Sequence, residues 1–221
     1  MKLFLDSANL DDLKKALELG FIQGVTTNPS LLSKEPKGSF DGHIKNMVKL
    51  INESGNNIPL SVEVFTPDPK KMVDQAKEIY DFAEYENLNI KIPIGWEELH
   101  AISNISKFCK VNVTCIFNFQ QALIAANAGG HYLSIFFNRL KDIGGYPIEV
   151  IKETRTMINN FNMNNEIIVG SIRTSGDVKE SITSGAHIVT TSLSAMESLT
   201  PHHLTDKSVQ GFMDDFSEWM N

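Results

Sequence analysis

The stretch Leu88-Asn89-Ile90-Lys91-Ile92 alternates aliphatic and polar side chains, and Pro93 closes it. Side chains of a strand point to opposite faces with period two, so Leu88, Ile90 and Ile92 share one face and Asn89 and Lys91 the other. The same split recurs along the chain. Leu3 and Leu5 oppose Phe4 and Asp6; Leu60, Val62 and Val64 oppose Ser61 and Glu63; Val111 and Val113 oppose Asn112 and Thr114. One fully aliphatic face and one polar face, repeated in successive strands, suit a sheet covered by helices on one side and closed around a polar interior on the other. The inverse assignment would bury Asp6, Glu63 and Lys91 against apolar helix faces, at a high desolvation cost.

Eight short apolar runs read as strands: Lys2–Asp6, Ile22–Val25, Leu60–Val64, Leu88–Ile92, Lys110–Thr114, Tyr132–Phe136, Glu166–Gly170 and His187–Thr190. Helical patterns alternate with them. Leu10–Leu19 follows an Asn9 cap, Ile44–Ile51 and Met72–Phe82 carry apolar residues at helical spacing, Gln120–Ala128 stops at Gly129-Gly130, and Ile148–Ile158 and Val178–Ser184 continue the series. A strand–helix repeat near 27 residues predicts an α/β chain folded as one (β/α)8 TIM barrel over residues 1–221, with a C-terminal helix. An open doubly wound sheet would show a glycine-rich turn after the first strand, and SANLDD is not one. In the tail Ser208–Asn221, Phe212, Phe216 and Trp219 share a helix face. That face fits packing on the barrel or contact with a neighbouring subunit.

Hydrophobic residues make up 42% of the 221, enough for a sizeable core. No apolar run approaches the roughly 18 residues of a membrane span, and Asp6 interrupts the N-terminus too early for a signal-peptide core. The expected location is cytoplasmic, with no membrane partner. Cys109 and Cys115 are two thiols with no second pair to build a zinc site, and they read as reduced core residues. The net charge of −7 argues against nucleic acid, and it requires that any anionic substrate be held by specific local cations.

Barrel enzymes place their chemistry at the C-terminal ends of the strands, where several of the polar residues fall. Lys91, flanked by Ile90, Ile92 and Pro93, loses hydration, which favours the uncharged amine. Such an amine attacks a ketone, and the resulting iminium stabilises the carbanion left by C–C cleavage. A structural lysine paired with Glu63 or Asp6 fits the spacing equally well. Asp6 suits proton removal from a hydroxyl, and Glu63 with Thr114 suits holding a water, unless each merely partners the lysine. Arg139 and Arg173 follow the sixth and seventh strands, the end of a barrel that commonly binds phosphate; Ser171 and the start of the helix after Arg173 add donors. Arg155 lies in a predicted helix and reads as a surface residue. Asn28, fixed by Pro29, fits both the barrel mouth and a simple cap. His202-His203 reads as a surface pair, Glu97-Glu98 as an acidic first helical turn, and His131 and His187 fall at the far end of the barrel. Trp96 fits the mouth or the barrel edge.

Read together, FLDSAN (Phe4–Asn9), GVTTNPSLL (Gly24–Leu32), SVEV (Ser61–Val64), IKIP (Ile90–Pro93), NVTCIFN (Asn112–Asn118), QALIAANAG (Gln121–Gly129), NRLKDIGG (Asn138–Gly145) and GSIRT (Gly170–Thr174) resemble the short-chain transaldolase family, which includes the fructose-6-phosphate aldolases. The resemblance covers essentially the whole chain. It implies a Schiff-base lysine at Lys91, an acid/base at Asp6, a catalytic water held by Glu63 and Thr114, contact with the donor's hydroxyls at Asn28, and phosphate binding at Arg139, Ser171 and Arg173. It implies small-molecule sugar phosphates as partners, a homo-oligomer (pentamer or decamer) with the C-terminal helix on a neighbouring subunit, and neither metal nor organic cofactor. Members that release free dihydroxyacetone carry glutamine at the position of Glu63 and tyrosine at that of Phe136, so the resemblance is closer to the transferase branch. The implied reaction passes dihydroxyacetone from sedoheptulose 7-phosphate or fructose 6-phosphate to glyceraldehyde 3-phosphate or erythrose 4-phosphate. The alternatives are a fructose-6-phosphate aldolase and a non-catalytic sugar-phosphate-binding barrel. Gly95, Ile135 and Ser192 depart from the family's usual threonine and prolines; none of these removes a catalytic group, and they leave open the shape of the mouth and the acceptor preference.

Overall fold

The computed structural model describes residues 1–220. Its strands are β1 (Lys2–Asp6), β2 (Val25–Thr26), β3 (Leu60–Glu63), β4 (Leu88–Pro93), β5 (Lys110–Ile116), β6 (Gly130–Phe136), β7 (Glu166–Gly170) and β8 (Ile188–Thr191). All neighbours pair in parallel, and β8 pairs with β1 to close the barrel. The helices are α1 (Leu10–Leu19), α2 (Pro29–Leu32), α3 (Phe40–Glu53), α4 (Pro69–Ala83), α5 (Glu98–Ile105), α6 (Phe119–Asn127), α7 (Phe137–Asp142), α8 (Pro147–Asn160), α9 (Ser175–Thr183), α10 (Leu193–Glu197) and α11 (His203–Met220). The predicted (β/α)8 barrel with a C-terminal helix is the fold observed.

Short polar residues start these helices. Asn9 accepts from the N–H groups of Asp11 and Asp12, Asp68 from that of Lys70, and Asn118 from that of Gln121. Gly20 ends α1 at φ 70°, a left-handed cap that glycine adopts without steric cost. Strand β2 begins three residues later than expected. There the Gln23 side-chain oxygen, rather than a strand carbonyl, accepts from the Leu3 N–H.

The aliphatic parity faces the helices, as expected. Leu5, Val62, Ile90, Ile92, Val111 and Val113 are fully buried in one cluster with residues of α1, α3, α4, α5 and α6. A second, small cluster of Phe4, Tyr132, Ile168 and Ile188 comes from the opposite parity and fills the barrel toward its N-terminal end. A Cβ on Gly24 would collide with the Phe4 ring, so this glycine makes room for that plug. The chain inside the barrel becomes polar above the plug. Ser134 donates to Asn112 Oδ1 (2.6 Å), and Asn112 donates to Ser61 Oγ (3.2 Å), so buried polar groups satisfy one another. Lys91 adjoins this polar group, in register with Asn112.

Packing of the tail on its own barrel is overturned for the described residues: α11 has no buried residue, and Phe212, Phe216 and Trp219 are all exposed. Asn221 of the predicted tail lies outside the described residues. Arg155, expected at the surface, is half-buried in α8 and touches His187, because Gly185 leaves room for its stem. No described helix is long and apolar enough to cross a membrane.

Candidate active site

A cavity of about 90 Å3 opens at the C-terminal ends of the strands, lined by Asp6, Thr26, Asn28, Lys91, Thr114, Ser134, Phe136, Arg139, Gly170, Ser171 and Thr190. Seven of the nine residues singled out above therefore share one wall-to-wall space. Lys91 rises from the centre of β4, where the register sets it between Glu63 on β3 and Asn112 on β5. It is buried, with Nζ 3.1 Å from Glu63 Oε2, and it donates to the Thr27 carbonyl at 3.1 Å. Glu63 faces two ways. Its carboxylate meets Lys91, while its side chain also lines a neighbouring groove of about 870 Å3 between α2 and α3.

Asp6 ends β1 and accepts from Thr26 Oγ1 at 2.8 Å; Thr26 in turn shares a 2.6 Å hydrogen bond with Thr190. Burial pushes the Asp6 carboxyl above its ordinary range, and the attraction of Lys91 and the Thr26 hydrogen bond offset this only in part. A carboxylate so perturbed is a stronger base than one in water.

Thr114 is placed by a bulge. Between Val113 and Ile116 the β5–β6 register slips, and Cys115 takes φ 60°. The Thr114 hydroxyl is fully buried beside the Cys115 thiol, and it has no hydrogen-bond partner of ordinary geometry among the described residues. Burial and the nearby Glu63 charge push the Cys115 thiol up, and burial pushes Cys109 to about 11, so both remain protonated at neutral pH. Asn28 has both predicted roles: Oδ1 caps α2 by accepting from Leu31 N–H at 3.1 Å, and the side chain lines the cavity.

Arg139 stands on α7 and lines the cavity, with its guanidinium 5.0 Å from the centre of the Phe136 ring, a cation–π contact. Ser171 directly follows β7, at φ 58°. Arg173 is not brought to the cavity wall. Its guanidinium is exposed and grips Asp142 through two hydrogen bonds, of 2.8 and 2.5 Å. Just before α9, Arg173 N and Thr174 N both donate to Asp177 Oδ2, so these two N–H groups turn inward to the protein.

Gly95, Ile135 and Ser192 do not line the cavity. Ile135 faces the helices, Ser192 caps α10, and Gly95 lies beside Trp96 in an outer groove. Trp96 is 81% exposed and lines that outer groove rather than the cavity. His202 and His203 stack on each other at the surface, Glu97 and Glu98 open α5, and His131 and His187 lie near Lys2 and Glu166 at the N-terminal end. Thr26 and Thr190 went unnoticed in the sequence, although extending the parity argument to β2 and β8 turns both inward.

The family model described as transaldolase/fructose-6-phosphate aldolase matches residues 3–220. The chain belongs to this family. It is 37% identical over 217 residues to a probable transaldolase of Clostridium tetani, covering 98% of each chain. It is 39% identical over 218 residues to one of Oceanobacillus iheyensis, covering 98% of this chain and 99% of that one. Among solved structures, the thiamine phosphate pyrophosphorylase of Pyrococcus furiosus superposes with a TM-score of 0.63 at 12% identity, over 90% of this chain and 93% of that one. At that identity the likeness concerns the barrel alone. With its relatives named as they are, the protein is an enzyme of the transaldolase family.

Proposed function

We propose that this transaldolase-family enzyme transfers a dihydroxyacetone unit from a ketose phosphate to an aldose phosphate through a Schiff base on Lys91. The observation that carries the reading is the buried Lys91 amine, 3.1 Å from the Glu63 carboxylate and facing the same cavity as Asp6. Lys91 passes a proton to Glu63, and the freed amine adds to the C2 carbonyl of the ketose. Glu63 returns that proton to the departing hydroxyl, and water leaves as the iminium forms. Thr114 and Glu63 hold this water. Asp6 removes the proton of the C4 hydroxyl, the C3–C4 bond breaks, and its electron pair flows into the iminium to give an enamine. The shortened aldehyde leaves. The enamine carbon then attacks the acceptor's aldehyde, Asp6 returns its proton to the new alkoxide, and hydrolysis frees Lys91.

Asn28 orients the donor's hydroxyls. Arg139 and Ser171 hold the phosphate, and Arg173 joins them on releasing Asp142. Phe136 has no phenol to protonate the enamine, which therefore waits for an acceptor aldehyde. The exposed apolar face of α11 supports a homo-oligomer; the subunit number, a pentamer or decamer, and the cytoplasmic location rest on the family resemblance and the sequence.

Incubation with fructose 6-phosphate followed by borohydride should fix a ketose-derived mass on the peptide containing Lys91, and Lys91→Ala should carry none. An unmodified wild-type protein would favour a binding barrel instead. Free dihydroxyacetone formed without an acceptor would favour the aldolase.

A further inference from the structure

Asp177 lies outside the cavity, yet it binds both sides of the phosphate end. It is the third residue of α9, and it is buried, at 5% exposure. In an ordinary capping box this residue bonds back to its own helix start. Here Oδ2 accepts from Thr174 N (2.9 Å), from Arg173 N (3.0 Å) and, across the groove, from Asn138 Nδ2 on α7 (2.8 Å). The same Asn138 Nδ2 donates to the Ser171 carbonyl at 2.8 Å, and Asn138 N donates to it at 3.2 Å. Serine adopts φ 58° only where its surroundings hold it there. Asn138 also immediately precedes Arg139. One buried carboxylate therefore locks α7, which carries Arg139, to the β7–α9 turn, which carries Ser171. These hydrogen bonds also keep Asp177 ionised despite its burial, as its carboxyl lies below the usual range.

We infer that Asp177, acting through Asn138, is a positioning residue that sets the spacing of Arg139 and Ser171 and so gives the enzyme its preference for phosphorylated over unphosphorylated ketoses. The inference rests on the proposed Schiff base, which also supplies the readout. The concentration of ketone giving half-maximal borohydride trapping on Lys91 is measured for fructose 6-phosphate and for dihydroxyacetone, which has no phosphate. The phosphate preference is the ratio given by the value for dihydroxyacetone divided by the value for fructose 6-phosphate.

Asp177→Ala should lower that ratio tenfold or more, by raising the value for fructose 6-phosphate. Asp177→Asn, whose amide oxygen accepts from the same three N–H groups, should restore most of it. Should Asp177→Ala fail to fold, Asn138→Ala cuts the same link without touching the α9 cap, and it should lower the ratio similarly. A general structural defect would weaken trapping of both ketones alike; an unchanged ratio in the folded variants overturns the inference while leaving the Schiff base intact. Absence of any adduct in the wild-type protein overturns the Schiff-base reading, and this inference with it.

Discussion

Asp6→Asn should make the protein more stable and nearly inactive at once. The wild-type carboxyl titrates above its ordinary value of 3.8, so its surroundings favour the neutral form even after the attraction of Lys91 and the Thr26 hydrogen bond are counted. A carboxyl raised on folding binds more protons in the folded chain than in the unfolded one over the interval between its two pKa values. Stability then declines as pH climbs through that interval, and the full penalty is present above it. Asparagine has nearly the same shape, still accepts from Thr26 Oγ1, and carries no charge to desolvate. Relief of strain at a functional site commonly gains about 0.5–2 kcal/mol. For a chain of this size each kcal/mol is worth roughly 2–4 °C, so the melting temperature should rise by about 1–8 °C near pH 7.5.

The gain must shrink as pH falls toward 4, where the wild-type carboxyl is increasingly protonated in both states. Thermal melts of the two proteins at pH 7.5, 6 and 4.5 test this directly. A gain that stays constant or grows at low pH would refute the desolvation argument, as would any net destabilisation at pH 7.5. Transfer should fall by about 10^2–10^4-fold with loss of the general base. Borohydride should still trap a ketone on Lys91, whose partner Glu63 is untouched.

The barrel was legible because the parity signal is redundant. Four strands separate aliphatic from polar residues in the same sense, so only one closure buries the charges together. That signal placed Asp6, Glu63, Lys91 and Thr114 before any coordinates. What escaped depends on contacts without a sequence period. Strand β2 shortens because a glutamine side chain replaces a carbonyl. The short helices α2, α7 and α10 hold four to six residues, too few to show a hydrophobic repeat. Arg173 follows a strand just as Arg139 does, and position alone recommends both. Only the tertiary fold brings Asp142, 31 residues away, against one of them. Asn138 and Asp177 were hidden for the same reason: Asn138 reads only as part of the NRLKDIGG stretch, and Asp177 falls just before the predicted helix Val178–Ser184 with nothing local to mark its partner.

Three further outcomes follow from the packing. Glu63→Gln with Phe136→Tyr should raise free dihydroxyacetone formed from fructose 6-phosphate without acceptor, measured by coupled reduction; no rise would break the link between the phenol and product release. Gly24→Ala should cost about 1–3 kcal/mol, because its methyl meets the Phe4 ring inside a closed sheet that has no room to yield; a melting temperature within 1 °C of wild type would show that the ring can move. Removal of residues 201–221 should lower the subunit number seen by sedimentation while the barrel keeps its circular dichroism. The physical reason is the separation of two apolar surfaces. The core cluster draws no buried member from α11, so the barrel loses none of its packing, whereas Phe212, Phe216 and Trp219 at 57–77% exposure leave a helix face that water stabilises poorly. If the truncated chain unfolded while remaining monomeric, as the full chain would also have to be, α11 would be acting on its own barrel, and the face would need another explanation.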